Sequence, residues 1–124
     1  MSSISFTLLT HQEELSYAGP ALRADAYYGN TDGIHTVSVN YTNFTGRLYI
    51  EGTLVLNPVE SDWFVVSIDD TTAYKEYTAA NSTEGFTFKM NLMNVRARVD
   101  RDYLAAGSYN FSNHGAVNKA LLNV

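Results

Sequence analysis

Apolar and polar residues alternate one by one along much of this 124-residue chain, in short runs separated by Gly, Asn and Asp. This period-two pattern is typical of β-strands with one buried face, because successive side chains of a strand point to opposite faces. In the first run Ile4, Phe6 and Leu8 share one face, opposite Ser and Thr residues. Further alternating runs occupy residues 35–42, 47–56, 86–92, 95–100 and 117–124. The chain is therefore predicted to contain seven or eight strands and no helix.

Turn residues and one apolar run refine this prediction. Residues 43–46 (Asn-Phe-Thr-Gly) are predicted to form a turn, and Asn57-Pro58 a break, since Pro cannot donate a hydrogen bond to a neighbouring strand. Residues 63–68 are apolar on both faces, as expected of a central strand that is covered on each side. We expect an antiparallel β-sandwich of jelly-roll-like topology, with a small barrel as the less favoured alternative. Residues 1–124 are expected to form a single domain, with residues 1–12 as an N-terminal arm or an edge strand.

Composition argues against several classes of partner. With 13 acidic and 8 basic residues the net charge is −5, whereas binding to a phosphate backbone requires a basic face, so nucleic acid is not expected as a partner. The absence of cysteine excludes disulfides and thiolate metal sites. No apolar stretch approaches the roughly 20 residues that span a bilayer, so no membrane is expected. The N-terminal residues lack the pattern of a signal peptide, so we expect synthesis in the cytoplasm of the host.

Catalytic and metal-binding patterns are weak. The three histidines are far apart, and His35 lies on an apolar strand face, where a hydrogen-bonded core or rim histidine is the favoured interpretation. Glu51, paired with Glu76 or Glu84, is the nearest approach to the two carboxylates of a glycosidase, and 13 acidic residues offer such pairs by chance. We therefore expect a protein that is not an enzyme and that has no cofactor and no catalytic or metal-binding residue.

Tyrosines are the first candidates for an interaction surface. The chain contains nine of them, and five are expected at turn edges or on polar strand faces: Tyr27, Tyr28, Tyr49, Tyr74 and Tyr77. Exposed phenol rings can stack on sugars or pack against a protein partner. The alternative is that these rings fill the half-buried edges of a sheet, as tyrosines commonly do.

Two arginines are the second candidates. Arg96 and Arg98 share one side of a predicted strand with Asp100. One interpretation is a solvated face with cross-strand ion pairs, which contribute little individually. The other is a self-complementary patch that fixes the register between subunits.

Several segments resemble small virion proteins of tailed bacteriophages, particularly those of marine and cyanobacterial hosts. They are the Asn-Phe-Thr-Gly segment at 43–46, LYIEGTL at 48–54, a Pro-containing link into Asp-Trp-Phe at 62–64, NVRARVDRDY at 94–103 and GAVNKALLN at 115–123. Together they cover roughly the central and C-terminal two-thirds of the chain, and residues 1–30 lie outside the resemblance. The resemblance implies a β-sandwich structural component of the virion without catalytic residues.

These observations lead to two functional expectations. The first is a non-enzymatic virion structural protein that forms a homo-oligomer and docks onto other virion proteins at the head (as capsid decoration), neck or tail. In this hypothesis Ile4, Phe6 and Leu8 form an assembly arm that adds to a neighbour's sheet. The alternative is a carbohydrate-binding β-sandwich module for recognition of a host receptor, which would use the same tyrosines to bind glycans.

Overall fold

The computed structural model describes residues 5–10, 16–27, 29, 33–66, 74–101 and 115–123. It contains eight strands, and every pairing between them is antiparallel. The strands are β1 (Ser5–Leu9), β2 (Ser16–Ala18), β3 (Leu22–Arg23), β4 (Ile34–Thr53), β5 (Phe64–Val65), β6 (Lys75–Lys89), β7 (Asn94–Asp100) and β8 (Ala116–Asn123). One 3-10 turn, Glu60–Asp62, precedes β5. The predicted all-β, antiparallel fold with eight strands is confirmed.

The 20-residue strand β4 organises the sheet. Along one side it pairs first with β6 and then with β5, while on the other side it pairs first with β8 and then with β7. Strand β1 pairs with β8, and β2 and β3 pair with β7. The path across the sheet is therefore β1-β8-β4-β7-β2, with β3, β5 and β6 attached to it.

A β-bulge, and not a turn, occupies residues 43–46. The pairing between β4 and β6 shifts register between Tyr41 and Phe44, and Asn43 has a φ of 50°. The buried positions change parity at this point: His35 to Tyr41 are buried at odd numbers, and Phe44 to Ile50 at even numbers. The prediction of a turn here was wrong because a bulge and a turn use the same residue types, whereas the alternation of buried and less buried positions is confirmed for residues 35–41 and 47–50.

Both halves of β4 contribute to one hydrophobic core, because the sheet is curled. A Cβ atom on Gly19, just after β2, would lie 2.6 Å from the carbonyl oxygen of Leu8 in β1 and 2.8 Å from a methyl group of Leu9. The two outermost strands of the path therefore come close together. The two-layer sandwich and its jelly-roll topology stay predictions, since all described strands belong to one continuous sheet. The β4 residues in the core are Val37, Val39, Tyr41, Phe44, Leu48 and Ile50.

The predicted N-terminal arm is an edge strand of the chain's own sheet. Phe6 and Leu8 lie in β1, which pairs with β8 of the same chain. Leu8 and Leu9 are fully buried in the core. Residues 5–9 therefore do not form a free arm but an edge strand of this sheet, while Ile4 lies outside the described residues.

Two further predictions about faces are wrong. The alternation predicted over residues 47–56 places Leu54 and Leu56 on the same face as Leu48, but the chain leaves the sheet after Thr53 and exposes both. The apolar run 63–68 was expected to form a central strand. Within its described part it provides only the two-residue strand β5, which pairs with β4 alone and leaves Phe64 and Val65 exposed.

Candidate interaction surface

The segment between β4 and the end of β5, residues 54–65, exposes an unusual number of large apolar side chains. We call it the apolar loop. Leu54 is 68% exposed and Val59 is 64% exposed. Concentrated apolar exposure of this kind marks surfaces that bind another molecule, whereas single exposed apolar residues are ordinary. The exposed members of the apolar loop are Leu54, Val55, Leu56, Val59, Phe64 and Val65.

Polar groups beneath the loop hold its backbone in place. The side-chain amide of Asn94 in β7 donates hydrogen bonds to the carbonyl oxygens of Val55 (2.9 Å) and Leu56 (3.1 Å). Arg23 in β3 also donates to the Leu56 carbonyl and, at 3.1 Å, to the Asn94 side-chain oxygen. Asn94 is buried. The loop is thus tied to two strands, and its apolar side chains point away from these ties.

Arg96 fastens the second half of the loop. Its Nε donates to Glu51 in β4 (2.7 Å), and its two terminal nitrogens donate to the Glu60 carboxylate at 2.7 and 3.1 Å. The guanidinium carbon lies 4.4 Å from the ring centroid of Trp63. Hydrogen bonding to Glu60 raises the pKa of Arg96, and the same contact lowers the pKa of Glu60. Arg96 itself is only 8% exposed. The loop therefore has charge beneath it and apolar groups on its outside.

An ion-paired ladder extends from Arg96 along the outer face of β4 and β7. The strand register places Arg47 opposite Asp100, Tyr49 opposite Arg98 and Glu51 opposite Arg96. Arg98 donates to the second oxygen of Glu51 at 3.0 Å, so one carboxylate holds both arginines. The cross-strand ion pairs predicted for this face are present, although Arg96 is buried and not solvated. Its use as a register device between subunits stays a prediction.

Two of the five candidate tyrosines join this ladder. The rings of Tyr49 and Tyr74 lie 5.3 Å apart. The Arg98 guanidinium lies 4.1 Å from the Tyr49 ring, and the Arg47 guanidinium lies 4.7 Å from the Tyr74 ring. One side of each ring is therefore occupied by a cation. The structure thus brings Tyr49, Tyr74, Arg96 and Arg98 together on one face.

The other tyrosines are not part of this group. Tyr27 is half exposed, and Arg23 lies 5.2 Å from its ring. Tyr28 lies outside the described residues. The expectation that Tyr77 is exposed was wrong, because it lies opposite Gly46 and fills the space beside Tyr41 at 4.5 Å. Its hydroxyl donates to Glu84 (2.6 Å), and burial raises its pKa.

His35 forms a buried pair with Asp25, and only the burial of His35 was predicted from the sequence. It is buried, as predicted, and its ring stacks on Phe88 with a centroid distance of 4.8 Å. Its Nδ1 lies 2.9 Å from the Gly33 carbonyl, and its Nε2 lies 3.2 Å from Asp25, which was not singled out. Asp25 also accepts a hydrogen bond from the Leu92 amide at 2.8 Å. These contacts connect three segments of the chain, so the pair has a structural role.

The remaining chemical candidates are engaged in ion pairs or hydrogen bonds. Glu51 is held by Arg96 and Arg98, Glu76 by Arg47, and Glu84 by Tyr77. Among the described residues no group of three His, Asp or Glu side chains could hold a metal ion. Searched over the same residues, the chain has no helix long and apolar enough to cross a bilayer.

Comparison with family models, curated proteins and solved structures found no match for this chain. A functional conclusion therefore rests on the surface itself. Its most distinctive part, the apolar loop, was missed in the sequence because Leu54 and Leu56 continue the alternation of β4. The Asn-Pro pair at 57–58 was the available signal that the strand had already ended.

Proposed function

We propose that this chain is a non-enzymatic structural protein that associates with copies of itself and docks onto other proteins of a phage virion. The observation that carries this proposal is the apolar loop. Its apolar side chains are exposed, while Asn94 and Arg96 beneath it are buried and paired with it. An isolated domain gains nothing from this distribution, whereas a partner that covers the apolar side chains and leaves the exposed Glu60 at the rim buries apolar surface without having to desolvate charge.

The free energy gained by covering the loop is modest compared with the cost of association. Complete burial of a large apolar side chain contributes about 1.5–3 kcal/mol. The loop side chains are 38–68% exposed, so covering them contributes about 1 kcal/mol each. Association costs about 4–15 kcal/mol in lost freedom. The six side chains together contribute about 6 kcal/mol, near the low end of this cost, so docking gains stability from a second contact region besides the loop.

The virion part of the proposal is supported by the resemblance to phage structural proteins. The similar segments at 48–54, 94–103 and 115–123 include parts of β4, β7 and β8, the strands that form the centre of the sheet.

A carbohydrate-binding module for receptor recognition is the second proposal. The adjacent rings of Tyr49 and Tyr74 on the outer face support it. Arg98 and Arg47 occupy one side of each ring, so a sugar would have to stack on the remaining side. Docking of a protein needs no free ring face, and we favour it for this reason.

The absolute mass in solution tests the first proposal. We expect light scattering over a concentration series to show a defined oligomer. The double variant Leu54→Ser/Val59→Ser should shift this equilibrium to lower mass, because it removes the two most exposed apolar side chains of the loop. Tyr17→Ser, which removes an exposed ring from β2, is the matched control and should leave the mass unchanged. A wild-type protein that is monomeric at every concentration would refute self-association.

A further inference from the structure

One long side of the sheet is open within the described part of the chain. Strand β6 pairs with β4 from Ile34 opposite Lys89 to Leu48 opposite Lys75, and no described strand pairs with its other side. Open strand edges present unpaired N–H and C=O groups, and proteins usually protect them by short length, prolines or dense charge. β6 has 15 residues, no proline and four charged side chains. It is a poorly protected edge.

The second half of β6 is regular enough to pair with another strand. From residue 82 to residue 89 its register with β4 has no shift, whereas irregularities occur between residues 77 and 82. The outward side chains here, Thr83 and Thr87, are exposed and small. They hydrogen-bond to Asn40 (2.7 Å) and Thr36 (3.1 Å) on β4, which fixes them on the outer face. This half of the edge is therefore flat and uncrowded.

Gly85 lies in the middle of the regular stretch, and its own chain does not require a glycine there. It does not have a positive φ, and a Cβ atom at this position would meet only the Val37 carbonyl oxygen, at 3.7 Å. By contrast, a Cβ atom on Gly115 would lie 2.2 Å from the Thr42 carbonyl oxygen. A glycine inside a strand often marks a bulge, a tight bend or a site where another backbone approaches closely, and the register of residues 82–89 shows neither a bulge nor a shift.

We infer that two copies of this chain pair edge to edge through β6, antiparallel, about a two-fold axis at Gly85. This inference rests on the proposed self-association and supplies a second contact region besides the apolar loop. A two-fold axis at one residue places residues with equal offsets opposite each other. Thr87 of one copy then lies opposite Thr83 of the other, Phe86 opposite Glu84, and Lys89 opposite Asn81.

The side chains suit this register. No like charges meet, and the Thr–Thr pair is a favourable cross-strand combination. The axis is perpendicular to the sheet, so outer faces remain outer faces, and the hydroxyl row of β4 and β6 continues across both copies. On the inner side Phe86, which is half buried at the margin of the core, becomes flanked by the second copy. Because Glu84 of the second copy lies opposite Phe86, backbone hydrogen bonds and the Thr–Thr pairs, rather than an apolar contact, would hold the dimer.

Cysteine cross-linking tests the register, because the chain has no cysteine of its own. Thr83→Cys and Thr87→Cys proteins, one of them carrying a mass tag, are oxidised separately and as a mixture. We expect the mixture to give a disulfide-linked heterodimer in much higher yield than either protein alone. Ser38→Cys, on the same outer face but one strand inward, is the control and should not cross-link with either.

Light scattering of the same proteins before oxidation tests self-association separately from pairing through β6. An oligomer whose mixture fails to cross-link would overturn pairing through β6 and leave self-association standing. An oligomer in which the separate proteins cross-link as well as the mixture would overturn the axis at Gly85. A monomer at all concentrations would overturn both the edge pairing and the self-association on which it rests.

Discussion

Arg96 and Glu60 form a two-nitrogen, two-oxygen ion pair at 2.7 and 3.1 Å, although the arginine is almost completely buried and the glutamate side chain is 81% exposed. The pair joins the interior of the sheet to the apolar loop. Because Arg96 is also held by Glu51 and lies on Trp63, its position is fixed from three sides. The loop is thus presented in one arrangement, which lowers the entropy cost of docking.

Removal of Arg96 should destabilise the fold. We expect Arg96→Ala to lower the free energy of unfolding by about 2–3 kcal/mol, because it leaves the buried Glu51 carboxylate with Arg98 alone. Urea denaturation measures this value. Arg96→Lys retains the charge but not the planar fork, and should recover only part of the loss. An unchanged midpoint in both variants would contradict the role assigned to Arg96.

Acid should release the apolar loop. Arg96 lowers the pKa of Glu60, so the ion pair stabilises the folded loop at pH values above the unfolded pKa of about 4.3, and this stabilisation is lost as the pH falls through the lower folded value. Fluorescence of Trp63, the single tryptophan, should therefore change below about pH 4. In Glu60→Gln this transition should be absent. A transition of the same size in that variant would assign it to another carboxylate.

The buried pair of Asp25 and His35 should behave as a unit. Asp25→Ala removes the acceptor for the Leu92 amide and leaves His35 without its carboxylate, and we expect a loss of about 3 kcal/mol in unfolding free energy. His35→Phe can retain the stacking on Phe88. The double variant should lose clearly less than the sum of the single variants, which a double-mutant cycle measures. Additive losses would show that the two side chains do not interact.

Truncation of the N-terminus should unfold the domain and not merely prevent assembly. Leu8 and Leu9 are fully buried, and Leu8→Ala should cost about 3 kcal/mol through the cavity that it leaves. Deletion of residues 1–10 removes both side chains and the whole pairing of β1 with β8. Circular dichroism during heating checks both variants, with the exposed Thr7→Ala as control. A truncated protein that melts like the full chain would restore the arm hypothesis.

Local alternation was enough to predict the strands and most of their faces, because one face of each long strand packs on a single core. The alternation did not predict burial that depends on contacts with residues distant in the sequence. Tyr77 is buried because its ring packs against Tyr41 and Phe44, which lie more than 30 positions earlier in the chain. Arg96 is buried because Glu60 arrives from a loop 36 positions away. None of these partners is visible in the neighbouring sequence of the residue that it buries.

The bulge at residues 43–46 restricts how this chain can vary in length. Loss or gain of one residue there would exchange inside and outside for the whole following half of β4, from Leu48 to Thr53, and would expose its apolar row. Loss or gain of two residues would restore the original faces. Among related chains, length differences at this corner should therefore occur in even steps, while the loop after Thr53 should tolerate both odd and even ones.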